Sequence, residues 1–239
     1  MKTFSLTDVG RVRESNQDYV YTSESPVGNL PNLFIVADGM GGHNAGDFAS
    51  KYTVEQIVAY IEKAPMTSPV DLIRGAVTKA NSSLMAQAKS DASLSGMGTT
   101  VVIATVIGDC MYVANVGDSR LYLLRDELTQ ITKDHSLVQE MVRMGEMDAS
   151  EAKFHPDKNI ITRAVGAFEE LDIDFFEERV QPGDMILMCT DGLSNMVDET
   201  DMRQIIQTGR DVVEKVQHLV EAANHGGGKD NITVAIIEI

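Results

Sequence analysis

Four times along this chain an aspartate stands at the edge of an apolar run, beside glycine or asparagine: Asp38-Gly39, Gly117-Asp118, Asp191-Gly192 and Asp230-Asn231. A strand end is a rigid platform, and glycine lets a neighbouring backbone carbonyl turn toward a ligand. Several carboxylates converging at one edge repel one another unless something positive joins them. Divalent cations that favour hard oxygen ligands, Mg2+ or Mn2+, are the natural partners. Asp-Gly is also an ordinary turn sequence, so residue type and spacing alone leave a metal centre and a set of plain turns evenly balanced.

The elements that would position these aspartates can be read from periodicity. Leu33 to Ala37 is a short apolar strand ending at Asp38-Gly39. A helix over roughly 45–63 carries Val54, Ile57, Val58 and Ile61 on one face. A second helix starts where Ser68 can cap it and Pro69 suits the first turn, with a stripe of Leu72, Ile73, Ala76, Val77, Ala80 and Leu84. Residues 99–107 are β-branched and continuous, which predicts a buried strand. Gly108-Asp109 signals a hairpin into CMYVANV, which runs to Gly117-Asp118 before the strand RLYLLR. MILMC leads to Thr190-Asp191-Gly192. A helix capped by Asp211, with Glu214 three residues on, stops at Gly226, and ITVAIIEI closes the chain.

Strands joined by tight turns, with helices segregated from them, predict an α+β fold. The expected architecture is a sandwich of two antiparallel β-sheets flanked by helices on both outer faces, four layers in the order αββα. The segment from about 134 to 165 differs: its helical pieces are short, Leu137 to Met144 and around Ser150 to Phe154. They start at the capping boxes Ser136/Gln139 and Asp148/Glu151. It reads as a small inserted flap, of the kind that shapes substrate access or is a plain solvated excursion. A single domain over 1–239 is expected.

Composition narrows the partners. The chain has 239 residues, 43% apolar and 23% charged, which is ordinary for a globular protein with one good-sized core. Acids outnumber bases 36 to 20, a formal charge of −16. Such a surface argues against nucleic acid and against an anionic membrane face, while acids gathered around cations still make a locally positive site. Cys110 and Cys189 lie inside apolar runs and fit a reducing compartment. The amino-terminal residues lack a signal-peptide core, and no apolar stretch is long enough to span a bilayer. A cytoplasmic monomer is the expectation.

In order along the chain stand Gly10-Arg11-Val12-Arg13 with Asn16-Gln17-Asp18, then Val36-Ala37-Asp38-Gly39-Met40-Gly41-Gly42-His43, then Ser95-Gly96-Met97-Gly98-Thr99-Thr100. Asn115-Val116-Gly117-Asp118-Ser119-Arg120, Asp134-His135-Ser136 and Ile161-Thr162-Arg163-Ala164-Val165-Gly166 follow. Thr190-Asp191-Gly192-Leu193 and Lys229-Asp230-Asn231-Ile232-Thr233 complete the set. Each piece is weak alone. As an ordered series from residue 10 to 233 they resemble the metal-dependent serine/threonine protein phosphatases (PPM, or type 2C), in the style of the bacterial stand-alone members.

The resemblance implies hydrolysis of phosphoserine and phosphothreonine in proteins, by in-line attack of a hydroxide shared by two cations, Mn2+ or Mg2+. It implies that Asp38 bridges the pair, that the Gly39 carbonyl serves the second ion, and that Asp191 and Asp230 complete the first. Asp18 would act through water. A third, weaker ion, as in bacterial relatives, would use Asp118 with Asp191; the plain alternative for Asp118 is a turn cap beside Arg120. Arg13 would grip the phosphate, whose paired oxygens suit a guanidinium fork. Neither cysteine begins a C-x5-R loop, so a phosphocysteine route is not expected. Where eukaryotic relatives carry histidine after Asp-Gly, this chain has Met40. His43 is the nearest candidate proton donor by sequence and a metal-bound water is the other; His135 is expected to anchor the flap, and Asn231 to orient Asp230. The implied partners are phosphorylated proteins, a serine/threonine kinase and its targets among them. Two other readings are a same-fold phosphatase dedicated to one phosphoserine partner and a non-catalytic phosphoprotein-binding module.

Overall fold

The computed structural model describes residues 1–42, 45–152 and 155–239. In chain order its elements are β1 (Lys2–Asp8), β2 (Asp18–Ser23), β3 (Leu33–Met40), α1 (Ala45–Lys63), α2 (Pro69–Ser90), β4 (Gly98–Thr99), β5 (Val101–Ile107), β6 (Cys110–Val116) and β7 (Arg120–Leu124). There follow β8 (Leu128–Gln130), α3 (Leu137–Arg143), α4 (Ala149–Ala152), β9 (Asp174–Arg179), β10 (Met185–Cys189), α5 (Asp191–Ser194), α6 (Glu199–Thr208), α7 (Val212–His225) and β11 (Ile232–Glu238).

Alternation along the strands decides the layering, because successive side chains point to opposite faces. One sheet runs β1-β11-β10-β7-β8 and the other β2-β3-β5-β6-β9, with β4 pairing β3. Phe34 and Val36 of β3, Val102 and Ala104 of β5, Leu121 of β7, Ile186 and Met188 of β10, and Ala235 and Ile237 of β11 meet between the sheets. Their neighbours face outward. Leu33, Ile35 and Ala37 pack on α1 and α2, while Leu187, Cys189, Val234 and Ile236 pack on α6 and α7. The expected four-layer αββα sandwich is therefore what forms.

Local signals held where they were strong. Ser68 accepts from the Asp71 N–H at the start of α2, Asp211 accepts from the Val213 and Glu214 N–H groups at the start of α7, and Ser136 accepts from the Gln139 N–H at the start of α3. The flap closes on itself through a bridge between Ser136 and Ile161. One connection differs from a run of hairpins. β6 and β7 are separated only by Gly117–Ser119, yet they belong to different sheets, so this turn crosses the sandwich. Glycine at 117, with φ of 106°, permits that crossing. The first strands are β1 and β2, ahead of the LFIVA run.

Candidate metal centre

The same alternation that builds the inter-sheet core delivers the acids to its open end. Asp38 continues the inward face of Phe34 and Val36, and the β2–β3 register sets Asp18 directly opposite it. In the other sheet Thr190 and Thr233 continue the inward faces of β10 and β11. Their hydroxyls reach across to Asp18 Oδ2, at 2.9 and 2.7 Å. Asp18 is buried, and its Oδ1 has no protein partner.

Asp191 and Asp230 arrive through a close backbone approach. A Cβ at Gly192 would lie 1.9 Å from the Asn231 carbonyl oxygen, so only glycine lets the Asp191 turn stack on the Asp230 turn. Gly39 is held as tightly: its N–H donates to the Gln17 carbonyl at 3.0 Å, and a Cβ there would strike the Gly46 and Gln17 carbonyls. Asp38 itself is fixed through its backbone. Its N–H donates to Thr100 Oγ1 at 3.0 Å, and its carbonyl accepts from Thr99 Oγ1 at 2.8 Å.

Asn231 does more than was expected of it. Its backbone N–H donates to Asp230 Oδ1 at 2.9 Å. Its side chain clamps the 9–17 loop, donating to the Val9 and Ser15 carbonyls and accepting from the Gln17 N–H. That clamp carries Arg13 to the centre, where Nη2 lies 2.7 Å from Asp230 Oδ2. His135 plays the anchoring part expected. Its Nδ1 accepts from the Gly117 N–H at 3.1 Å, its carbonyl accepts from the Thr162 N–H, and Nε2 lies 3.2 Å from Asp174. The turn bearing Asp118 and the stem of the flap are thus tied together. His43 lies outside the described residues.

The electrostatics follow from burial and crowding. Burial pushes Asp18 up to about 7, opposed by the two threonine hydroxyls and reinforced by Asp191 and Asp230. Burial, then Asp18 and Asp191, drive Asp38 well above the usual carboxylate range. Burial and Asp191 push Asp118 up to about 8, and burial and Asp230 push Asp191 up to about 6. Among the described residues no three such groups already surround a common point closely enough to hold an ion. Instead, Asp230 is turned to Arg13, and Asp191 Oδ2 to Asn195. The donor set nevertheless fits a hard divalent cation: it is all oxygen and mutually repelling, and Asp18 Oδ1 and Asp191 Oδ1 are buried without partners.

Cys189 faces the outer helices, and burial pushes its thiol up to about 12, which makes it inert. Beside Asp118 and Asp191 a cavity of about 730 Å³ opens between the flap and α5–α6, floored by the Arg120–Asp134 ion pair. Thr190 and Thr233 stand in the quoted motifs without a role, and Asn195 has no signal in the sequence. For the threonines the signal was present: each extends the inward alternation of an apolar strand by one more step.

Comparison with known proteins agrees with this geometry. The pattern of the family described as protein phosphatase 2C matches residues 10–224. The chain is 42% identical over 237 residues to the serine/threonine phosphatase stp of Listeria monocytogenes, covering 97% of this chain and 93% of that protein. The serine/threonine phosphatase PstP/Ppp of Mycobacterium tuberculosis superposes with a TM-score of 0.90 at 36% identity, over 100% of this chain and 98% of that one. The PstP catalytic domain crystallised with two manganese ions gives 0.86 at 35% identity, over 99% and 97%. Matching end to end in sequence, and in fold with a solved structure that holds two ions, this chain belongs to the protein phosphatase 2C family.

Proposed function

We propose that this chain is a divalent-metal-dependent phosphatase that removes phosphate from phosphoserine and phosphothreonine in proteins. The observation that carries this reading is the gathering of Asp18, Asp38, Asp191 and Asp230 at one end of the sandwich, with two buried carboxylate oxygens lacking partners and Arg13 beside them. A bound pair of divalent cations supplies Lewis-acid charge and activates water for attack on phosphorus. Asp38, the Gly39 carbonyl, Asp191 and Asp230 would hold that pair, with Asp18 acting at one remove. Asp118 with Asp191 would serve a third ion.

Arg13 binds the substrate phosphate, orienting its oxygens with a planar fork. His43 is the proton donor proposed for the leaving oxygen, and an unaltered pH–rate profile in His43→Ala would remove it. Phosphorylated proteins are the substrates, a serine/threonine kinase and its targets among them, and the enzyme acts as a cytoplasmic monomer with one catalytic domain. No helix among the described residues is long and apolar enough to cross a membrane. The direct test is turnover of phosphoserine, phosphothreonine and phosphotyrosine peptides with Mn2+, with Mg2+ and with chelator. Metal-dependent release from the first two supports the reading; release that survives chelation contradicts it.

A further inference from the structure

Among the described residues a side-chain relay runs from the flap to Asp191. Lys158 Nζ donates to Asn195 Oδ1 at 3.0 Å, and Asn195 Nδ2 donates to Asp191 Oδ2 at 2.9 Å. The chemistry fixes the direction of this chain. An ammonium only donates and an ionised carboxylate only accepts, so the Asn195 amide has a single orientation that satisfies both neighbours. Asn195 stands four residues after Asp191, on the same side of the α5 turn, and its own N–H donates to the Asp191 carbonyl at 2.8 Å. One carboxylate oxygen of Asp191 is thereby occupied. The other, Oδ1, is buried without a partner.

Lys158 is held in turn by the flap's own backbone. Its N–H donates to the His155 carbonyl, and the flanking Ile160 carbonyl accepts from Leu137 at the start of α3. Lys158, Asn195 and Asp191 all line the cavity beneath the flap.

We propose that Asn195 and Lys158 are positioning residues of the ion centre: Asn195 holds Asp191 with Oδ1 turned to the cation, and Lys158 couples the seat of the flap to that carboxylate. The inference rests on the reading of Asp191 as a metal ligand. It assigns the flap a task besides covering substrate, because its position then sets how firmly the centre holds metal. Partners behind a ligating carboxylate commonly change metal affinity or activity tenfold to a hundredfold when removed.

The test is calorimetric titration of the 239-residue chain, stripped of metal, with Mn2+, alongside its melting temperature. Asn195→Ala is expected to weaken Mn2+ binding by about tenfold to a hundredfold. Lys158→Met should weaken it by a smaller factor, and Lys158→Arg, which keeps the charged donor, should stay nearer the wild type. Because Lys158 acts through Asn195, the Asn195→Ala/Lys158→Met double variant should bind no more weakly than Asn195→Ala alone. The inference is overturned if Asn195→Ala binds Mn2+ like the wild type, if it changes only the melting temperature, or if the two single effects multiply in the double variant. A wild-type chain that takes up no Mn2+ overturns the reading of the carboxylates themselves, which keeps the two failures distinct.

Discussion

Arg13 and Asp230, 217 residues apart in the chain, meet with Nη2 at 2.7 Å from Oδ2. The group proposed to hold phosphate and a group proposed to hold metal are ion-paired with each other. Both side chains remain substantially solvent-exposed, so the pair contributes no more than about 1 kcal/mol and is easily exchanged. If Asp230 holds a cation as proposed, its charge would be taken up there and the guanidinium would be left for a phosphate dianion.

Arg13→Ala should therefore separate the two roles. KM for phosphopeptides is expected to rise about tenfold to a hundredfold, the worth of a charge-assisted hydrogen bond, while Mn2+ affinity stays the same or tightens. Steady-state kinetics with a parallel Mn2+ titration check this; an unchanged KM removes Arg13 as the phosphate clamp.

Asp38 and its neighbours trade stability for chemistry. Asp18, Asp191, Asp118 and Asp230 all raise the pKa of Asp38, so a neutral side chain at 38 relieves repulsion wherever these acids are ionised. Asp38→Asn should abolish turnover yet, at alkaline pH where the cluster is ionised, raise the melting temperature without metal by a few degrees, roughly 2–4 °C per kcal/mol in a chain of this size. Differential scanning calorimetry without metal reads it directly, and a lowered melting temperature would contradict it.

The hydroxyls behind Asp18 should matter in the opposite sense. Thr233 donates to Asp18 Oδ2, and its oxygen lies 2.7 Å from Thr7 Oγ1, which accepts from Asn16. Thr233→Val keeps the shape but removes one of the two hydroxyls that donate to the buried Asp18 Oδ2, leaving Thr190, at a cost of about 1.5–3 kcal/mol for a hydrogen bond to a charged acceptor. The expected outcome is a melting temperature lower by several degrees and weaker Mn2+ binding. Thermal melts of Thr233→Val beside the exposed control Thr208→Val measure it.

The sequence showed the buried parts of this arrangement better than its edges. β3, β5, β10 and β11 are apolar runs, and each ends at or begins beside a site aspartate or threonine. β1 (KTFSLTD), β2 (DYVYTS) and β9 (DFFEER) mix polar and apolar residues because they border the sheets and stay half-exposed, so no run marks them. α6 has only Met202, Ile205 and Ile206 to anchor it against the core. Which strands share a sheet is also invisible locally: the Gly117-Asp118 turn looks like a hairpin, but its strands pair elsewhere. Contacts such as Thr190 to Asp18, or Lys158 to Asn195, depend on how two sheets and a flap are stacked, which alternation within one strand does not encode.

The pH dependence has a definite sign. Unfolded aspartates titrate near 3.9, whereas burial and repulsion hold Asp191 at about 6, Asp18 at about 7 and Asp118 at about 8. Groups raised on folding give their full stabilisation below the unfolded value and lose it as pH rises through the folded one. Between about pH 4 and 8 the metal-free cluster therefore becomes progressively destabilising, and a bound cation must displace the remaining protons. The rise in melting temperature produced by Mn2+ should be larger at pH 8 than at pH 5.5. An increment that does not change across that range would contradict the cluster as the binding site.

Asp38, Asp191 and Asp230, with Asp18 behind them, are proposed to hold the metal that catalysis uses. Equilibrium Mn2+ titration of the purified 239-residue chain, set beside Asp38→Asn, is the test. At least two ions are expected per wild-type chain and a collapse of that stoichiometry in Asp38→Asn; equal Mn2+ uptake by both proteins, or none by the wild type, is the opposite result.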